Sequence, residues 1–148
     1  MKSIFTFILF VSLLGIFNKT LAQTKEADRI IGVWVTADKK GHIEIYKSNN
    51  LYYGKLIWGA EIYEADGKTP KKDVNNEDKS KRERLLKNMI LLSDFTYNDG
   101  AWEDGKVYDP NNGKLYSCTM KLIGSKLHVR GYIGFSLIGR TEEWTRKQ

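Results

Sequence analysis

Residues 115–133 read LYSCTMKLIGSKLHVRGYI. Tyr116, Cys118, Met120 and Leu122 alternate with period two, which is the pattern of a strand with one buried face. Gly124-Ser125 supplies a tight turn, and in the run after it Lys126, His128, Arg130 and Tyr132 share a polar, outward face. Two strands joined by a two-residue turn are an antiparallel hairpin, and the same grammar extends in both directions along the chain. Turn signals recur at Lys40-Gly41, Asn49-Asn50, Asp66-Gly67, Asp99-Gly100 and Pro110 to Gly113. Between them lie β-prone runs at 31–36, 43–46, 51–58, 89–95, 101–108, 115–123, 127–133 and 140–145, dense in Ile, Val, Leu, Tyr, Trp and Thr. Eight such runs predict an all-β fold, a small antiparallel meander of about eight strands. Closing the meander into a barrel, or nearly so, disposes of both edge strands at once. Gly131, Gly134 and Gly139 let the chain bend before the last strand.

The chain has 148 residues, of which 41% are apolar and 28% charged, with 13 glycines, two prolines and one cysteine. This composition excludes collagen-like, disordered and multi-span membrane classes, and a lone cysteine excludes an internal disulfide framework. At the N-terminus, Lys2 is followed by an apolar run over 4–16 and by Thr20-Leu21-Ala22, the layout of a secretory signal peptide cleaved before Gln23. The apolar run is shorter than the roughly 20 residues that span a bilayer. The expectation is therefore an exported protein, periplasmic or secreted, with one domain over 23–148 and no membrane span after cleavage. Cys118 sits on the apolar face of its strand, so burial is expected for its thiol.

The segment 66–87 interrupts the β pattern. Residues 67–87 carry Lys68, Lys71, Lys72, Lys79, Lys81, Arg82, Arg84 and Lys87 against Asp73, Glu77, Asp78 and Glu83. Asn76 or Asp78 is placed to cap a short helix running to Lys87. Such a basic insertion is either a solvated loop or a patch that meets an anionic surface of the cell envelope. Nucleic acid is a poor fit, because the chain has no reading helix and export keeps it from meeting any.

No catalytic constellation stands out. His42 and His128 lack neighbours at metal-ligand spacing, so neither a metal nor another cofactor is expected. Ser136 lies between glycines but misses the nucleophile-elbow spacing. Asp109-Pro110 with Gly113 reads as a turn. A hydrolase using Asp73 or Asp109 would need a second carboxylate or His42 to converge with it. The aromatic content suggests a different use. Tyr52, Tyr53, Trp58, Trp102, Tyr108 and Tyr116 either line a ligand cavity or fill the interior of a small barrel. If the first and last strands pair, Gly32 and Trp34 meet Trp144 and Arg146, and the Arg146 guanidinium can lie over the Trp34 indole to close one end.

Taken together, Gly32-Val33-Trp34, Lys72-Asp73-Val74-Asn75, Gly105 to Pro110, Gly131 to Gly134 and Gly139 to Arg146 resemble the exported bacterial family called domain of unknown function 2147. The resemblance covers nearly all of 23–148 and implies a small lipocalin-like barrel with no established reaction. It places family-motif positions at Asp73, Asn75, Tyr108 and Asp109, besides Trp34, Arg140 and Trp144. Leu85-Leu86-Lys87-Asn88 departs from the family, which usually has a proline and a glycine there. The leading expectation is a noncatalytic barrel that binds a small apolar or amphipathic ligand, with Tyr53, Trp58, Trp102 and Tyr116 against its body and Arg140 on an anionic head. The alternative is a solid barrel that acts on the envelope through 66–87. An interior below about 100 Å³ would be too small for an ordinary ligand and would favour that alternative.

Overall fold

The computed structural model describes residues 23–134 and 138–148. The signal-peptide reading of 1–22 and the serine at 136 fall outside them. Eight antiparallel strands follow one another around a closed barrel: β1 (Gly32–Val35), β2 (Gly41–Ser48), β3 (Leu51–Gly59), β4 (Ile90–Asn98), β5 (Ala101–Asp109), β6 (Lys114–Ile123), β7 (Lys126–Tyr132) and β8 (Gly139–Arg146). β1 pairs with β8 through Trp34–Arg146 and Val35–Thr145, so the wall has no free edge. The second strand is twice the length predicted from its apolar run, because its polar ends continue to pair with β3 as far as Ser48–Leu51.

The connections sort into two kinds. At one end, β2–β3, β4–β5 and β6–β7 are joined by two-residue turns. Asn49 and Asn50 (φ 47° and 64°) and Asp99 and Gly100 (φ 43° and 86°) hold the left-handed geometry that matches strand twist. The N-terminal segment plugs this end. A 3-10 turn, Asp28–Ile30, delivers a fully buried Ile30, whose carbonyl accepts the Trp34 indole N–H at 2.8 Å. Asp28 accepts from the Tyr52 hydroxyl at 2.6 Å and pairs with Lys47 at 3.0 Å. At the other end lie the β1–β2 and β5–β6 turns, the insertion between β3 and β4, and the passage from β7 to β8. This end is the mouth.

The insertion is less helical than its sequence predicts. One 3-10 turn, Lys79–Lys81, is capped by the Asp78 carboxylate, which accepts from Ser80 N–H at 3.0 Å. The chain then leaves the helical path, because Leu85 bridges back to Lys72 and Leu86 N–H donates to the Lys71 carbonyl at 2.9 Å. In the departing stretch 85–88, Asn88 takes a left-handed conformation at φ 63°, which asparagine tolerates better than most side chains. No helix among the described residues is long and apolar enough to cross a membrane.

The barrel is filled unevenly. Towards the plug, Ile45, Tyr52, Phe95, Trp102, Met120 and Leu127 are fully buried and packed together. Towards the mouth the inward side chains shrink. Along β7 they run Leu127, Val129, Gly131, and the cross-strand row at the level of Gly131 reads Gly105, Cys118, Gly131. Small side chains in that row leave the mouth half short of filling atoms.

Candidate functional site

The shortage shows as an open-mouthed cavity of about 610 Å³. Its apolar wall comes from Ile43, Leu91, Val107, Val129 and Trp144, and its mouth from Tyr116, Tyr132, Ile133, Ile138 and Arg140. β8 brings an ion pair and an indole to this lining, which also includes Thr36, Tyr108, Asp109, Tyr116 and Tyr132. Alternation points Arg140, Glu142 and Trp144 to the interior side, opposite Gly131, Val129 and Leu127 of β7. Trp144 donates its indole N–H to Glu142 Oε2 at 3.3 Å, and Arg140 Nη2 lies 3.4 Å from Glu142 Oε1. A guanidinium, a carboxylate and an indole therefore descend from the opening towards the floor. Arg140 is 86% exposed and free to reorient, whereas Trp144 is buried.

The candidate residues divide by location. Tyr116 and Arg140 line the cavity, and so do Tyr108 and Asp109. Tyr53, Trp58 and Trp102 do not. Tyr53 lies on the face opposite buried Tyr52, stacks on Tyr46 at 5.8 Å between centroids, and donates its hydroxyl to Asp94. Trp58 would point inward by simple alternation from Tyr52, Gly54 and Leu56. A β-bulge between the His42–Trp58 and Ile43–Leu56 pairs inserts one residue and turns it outward, where its ring meets His42 at 4.5 Å. Trp102 is inside but below the cavity, packed against Tyr52 and Tyr97, and its indole N–H has no hydrogen-bond partner among the described residues.

Two of the family-motif positions, Asp73 and Tyr108, meet in a hydrogen-bonded network around a buried carboxylate. Asp73, 1% exposed, accepts hydrogen bonds from the Tyr108 hydroxyl, from Asn76 Nδ2 at 2.7 Å and from Arg84 Nη2 at 2.8 Å. Burial pushes the Asp73 pKa up, but the three donors outweigh it and hold the carboxyl below its ordinary range. Burial, followed by the facing carboxylate, pushes the Tyr108 hydroxyl up to about 12. Asn75 adds a second tether, donating to the carbonyls of Pro110 and Asn111 at 3.1 and 3.2 Å. Gly113 (φ 73°) completes it, since a Cβ there would lie 1.8 Å from the Asn75 carbonyl oxygen. Asp109 accepts from Asn111 N–H at 2.9 Å and starts the β5–β6 turn. These contacts fasten the insertion to β5 at the rim of the mouth. His42, on the outer wall against Trp58, does not converge with Asp73. No group of three His, Cys, Asp or Glu side chains among the described residues is arranged to hold a metal ion.

The closure residues meet at the plugged end. The Arg146 guanidinium lies 4.4 Å from the Trp34 ring centroid and donates to the carbonyls of Ile31 at 2.9 Å and Arg29 at 2.6 Å. Gly32 (φ 135°) makes room for it, because a Cβ there would meet Arg146 Nη1 at 2.5 Å. Cys118 is fully buried, and burial pushes its thiol up to about 12.

Glu142 also lines the cavity. In the sequence its alternation with Arg140 and Trp144 describes an ion pair that sets strand register, with no sign that it reaches a cavity.

Comparison with known proteins agrees with this architecture. The sequence model of a family described as "Uncharacterized protein conserved in bacteria (DUF2147)" matches residues 32–146. A search of curated proteins found no match. Among solved structures, the chain is similar to protein HP1028 from the human pathogen Helicobacter pylori, whose description places it in the lipocalin family. The two share 24% sequence identity and superpose with a TM-score of 0.70 over 81% of this chain and 84% of that one. The likeness shows a lipocalin-like barrel fold.

Proposed function

This chain belongs to the DUF2147 family, and from that premise we propose that it is a noncatalytic, exported barrel binding a small apolar or amphipathic ligand in its mouth. The observation that carries the reading is the cavity of about 610 Å³, which falls within the roughly 300–1,000 Å³ of ordinary ligand sites. Its wall is largely apolar, and the Arg140–Glu142 ion pair lies on one strand near the opening, so a ligand's body and head have separate places. Arg140 is the group that meets an anionic head, and Glu142 competes with that head for the guanidinium. The apolar run over 4–16, preceded by Lys2 and followed by Thr20-Leu21-Ala22, supports export. A barrel filled to the mouth, acting only through its surface, fits this volume poorly.

Titration with anilinonaphthalene sulfonate, a fluorescent amphipathic anion, tests the proposal. Saturable one-to-one binding is expected, weakened several-fold by Arg140→Ala at the rim and by Val129→Phe, which fills the cavity. Thermal melts of both variants check folding. Absence of saturable binding, or binding indifferent to both substitutions in folded protein, would overturn the reading.

A further inference from the structure

Nine large hydrophobic side chains are exposed among the described residues, and seven of them belong to the mouth end. Val74 and Leu85 stand in the insertion, Ile90 begins β4, Trp58 lies near the end of β3 and Leu115 near the start of β6. Ile133 and Ile138, 67% and 72% exposed, flank the opening itself. Only Ile31 and Ile123 are exposed towards the plug. Apolar side chains concentrated at one end of a small protein mark an interaction surface.

The same end carries the basic insertion, and its internal ion pairs use up only part of the charge. Lys72 pairs with Glu83, Lys81 with Asp78 and Arg84 with Asp73. Among the described residues, Lys68, Lys79, Arg82 and Lys87 form no ion pair, and neither do the neighbouring acids Glu64, Asp66 and Glu77. Lys68, Lys79 and Lys87 are exposed. At the plugged end the connections between strands are the two-residue turns Asn49-Asn50, Asp99-Gly100 and Gly124-Ser125.

We propose that the mouth end is a docking surface for a lipid bilayer bearing anionic headgroups. Unpaired lysines beside exposed isoleucines and leucines are what an anionic bilayer interface accepts. The cations meet phosphate, and the apolar tips enter the boundary between headgroups and acyl chains. An acidic protein would satisfy the lysines but leave the apolar ring around the opening without a matching surface. Docked in this orientation, the cavity opens onto lipid, and an amphiphile passes between bilayer and barrel without crossing water. That last step rests on the ligand-binding reading above, whereas docking itself does not.

Flotation of the protein with vesicles of phosphatidylcholine, with and without phosphatidylglycerol, tests the proposal. Binding is expected only to the anionic vesicles and is expected to fall with added salt. With about five-fold per lysine at such a surface, the triple variant Lys68→Glu, Lys79→Glu, Lys87→Glu weakens partitioning by at least roughly a hundred-fold. Leu115→Ser with Ile133→Ser weakens it without removing the salt dependence, and Ile123→Ser at the plugged end leaves it unchanged. No binding to anionic vesicles, or equal sensitivity to Ile123→Ser, overturns the proposal. Capture of an acidic protein with no vesicle binding does the same. Probe titration without vesicles tells the two readings apart: if the cavity still takes anilinonaphthalene sulfonate, docking alone has failed.

Discussion

Replacing Asp73 by alanine removes the acceptor that fastens the insertion to the barrel. The structure sets the size of the effect. The Tyr108 hydroxyl and the Asn76 amide are buried with the carboxylate, and each loses a hydrogen bond to a charged group, worth roughly 1.5–3 kcal/mol. Arg84 is 47% exposed and rehydrates, so it adds little. Part of the Tyr108 bond is recovered by relaxation around the new gap, and a net loss of about 3 kcal/mol is expected. For a domain of this size that lowers Tm by roughly 10 °C. Urea unfolding at pH 7 followed by tryptophan fluorescence measures it. A pH series adds a sharper criterion. The folded carboxyl titrates below its unfolded value of about 3.9, so its contribution is complete above that value and is lost as pH falls through the lower, folded value. The gap between wild type and Asp73→Asn is therefore expected to be wide at neutral pH and to narrow in acid. A loss under about 0.5 kcal/mol for Asp73→Ala, or a gap independent of pH, would refute the anchoring role.

Other consequences follow from single contacts. Arg146→Leu removes two hydrogen bonds to carbonyls and the stacking on Trp34, and is expected to cost about 2 kcal/mol in urea unfolding, with Arg146→Lys intermediate because an ammonium lacks the planar fork. Glu142→Gln frees Arg140 from its competing carboxylate and is expected to tighten anilinonaphthalene sulfonate roughly three-fold in the fluorescence titration, whereas unchanged or weaker binding would place the anion elsewhere. Cys118, with its thiol pushed up to about 12, is expected to resist a disulfide reagent at pH 8 in the native protein and to react at once in denaturant.

The closed meander was legible because β6 and β7 alternate cleanly and the turns between strands carry asparagine, aspartate and glycine where left-handed geometry is needed. The cavity's aromatic lining was much less so. Tyr52 and Tyr53 are chemically alike, and only the register decides which faces in. A single bulged residue reverses Trp58, and no local pattern announces it. Trp102 is expected against a ligand and lies inside the barrel but below the cavity, because depth along the barrel axis depends on how eight strands stagger, which no single strand reveals. The Asp73 network joins residues 35 positions apart through a loop with no periodicity, so its members could be named as motif positions but not brought together. The hollow itself had a visible trace in Leu127, Val129 and Gly131, whose shrinking side chains point to the end that stays open.

Intermolecular nuclear Overhauser contacts between bound anilinonaphthalene sulfonate and isotope-labelled methyl groups test the central claim most directly. Contacts to Ile43, Val107 and Val129, with none to Ile123 at the plugged end, are the predicted result. Contacts confined to the outer wall around Trp58, with the methyls of the cavity silent, would contradict a ligand site inside the barrel.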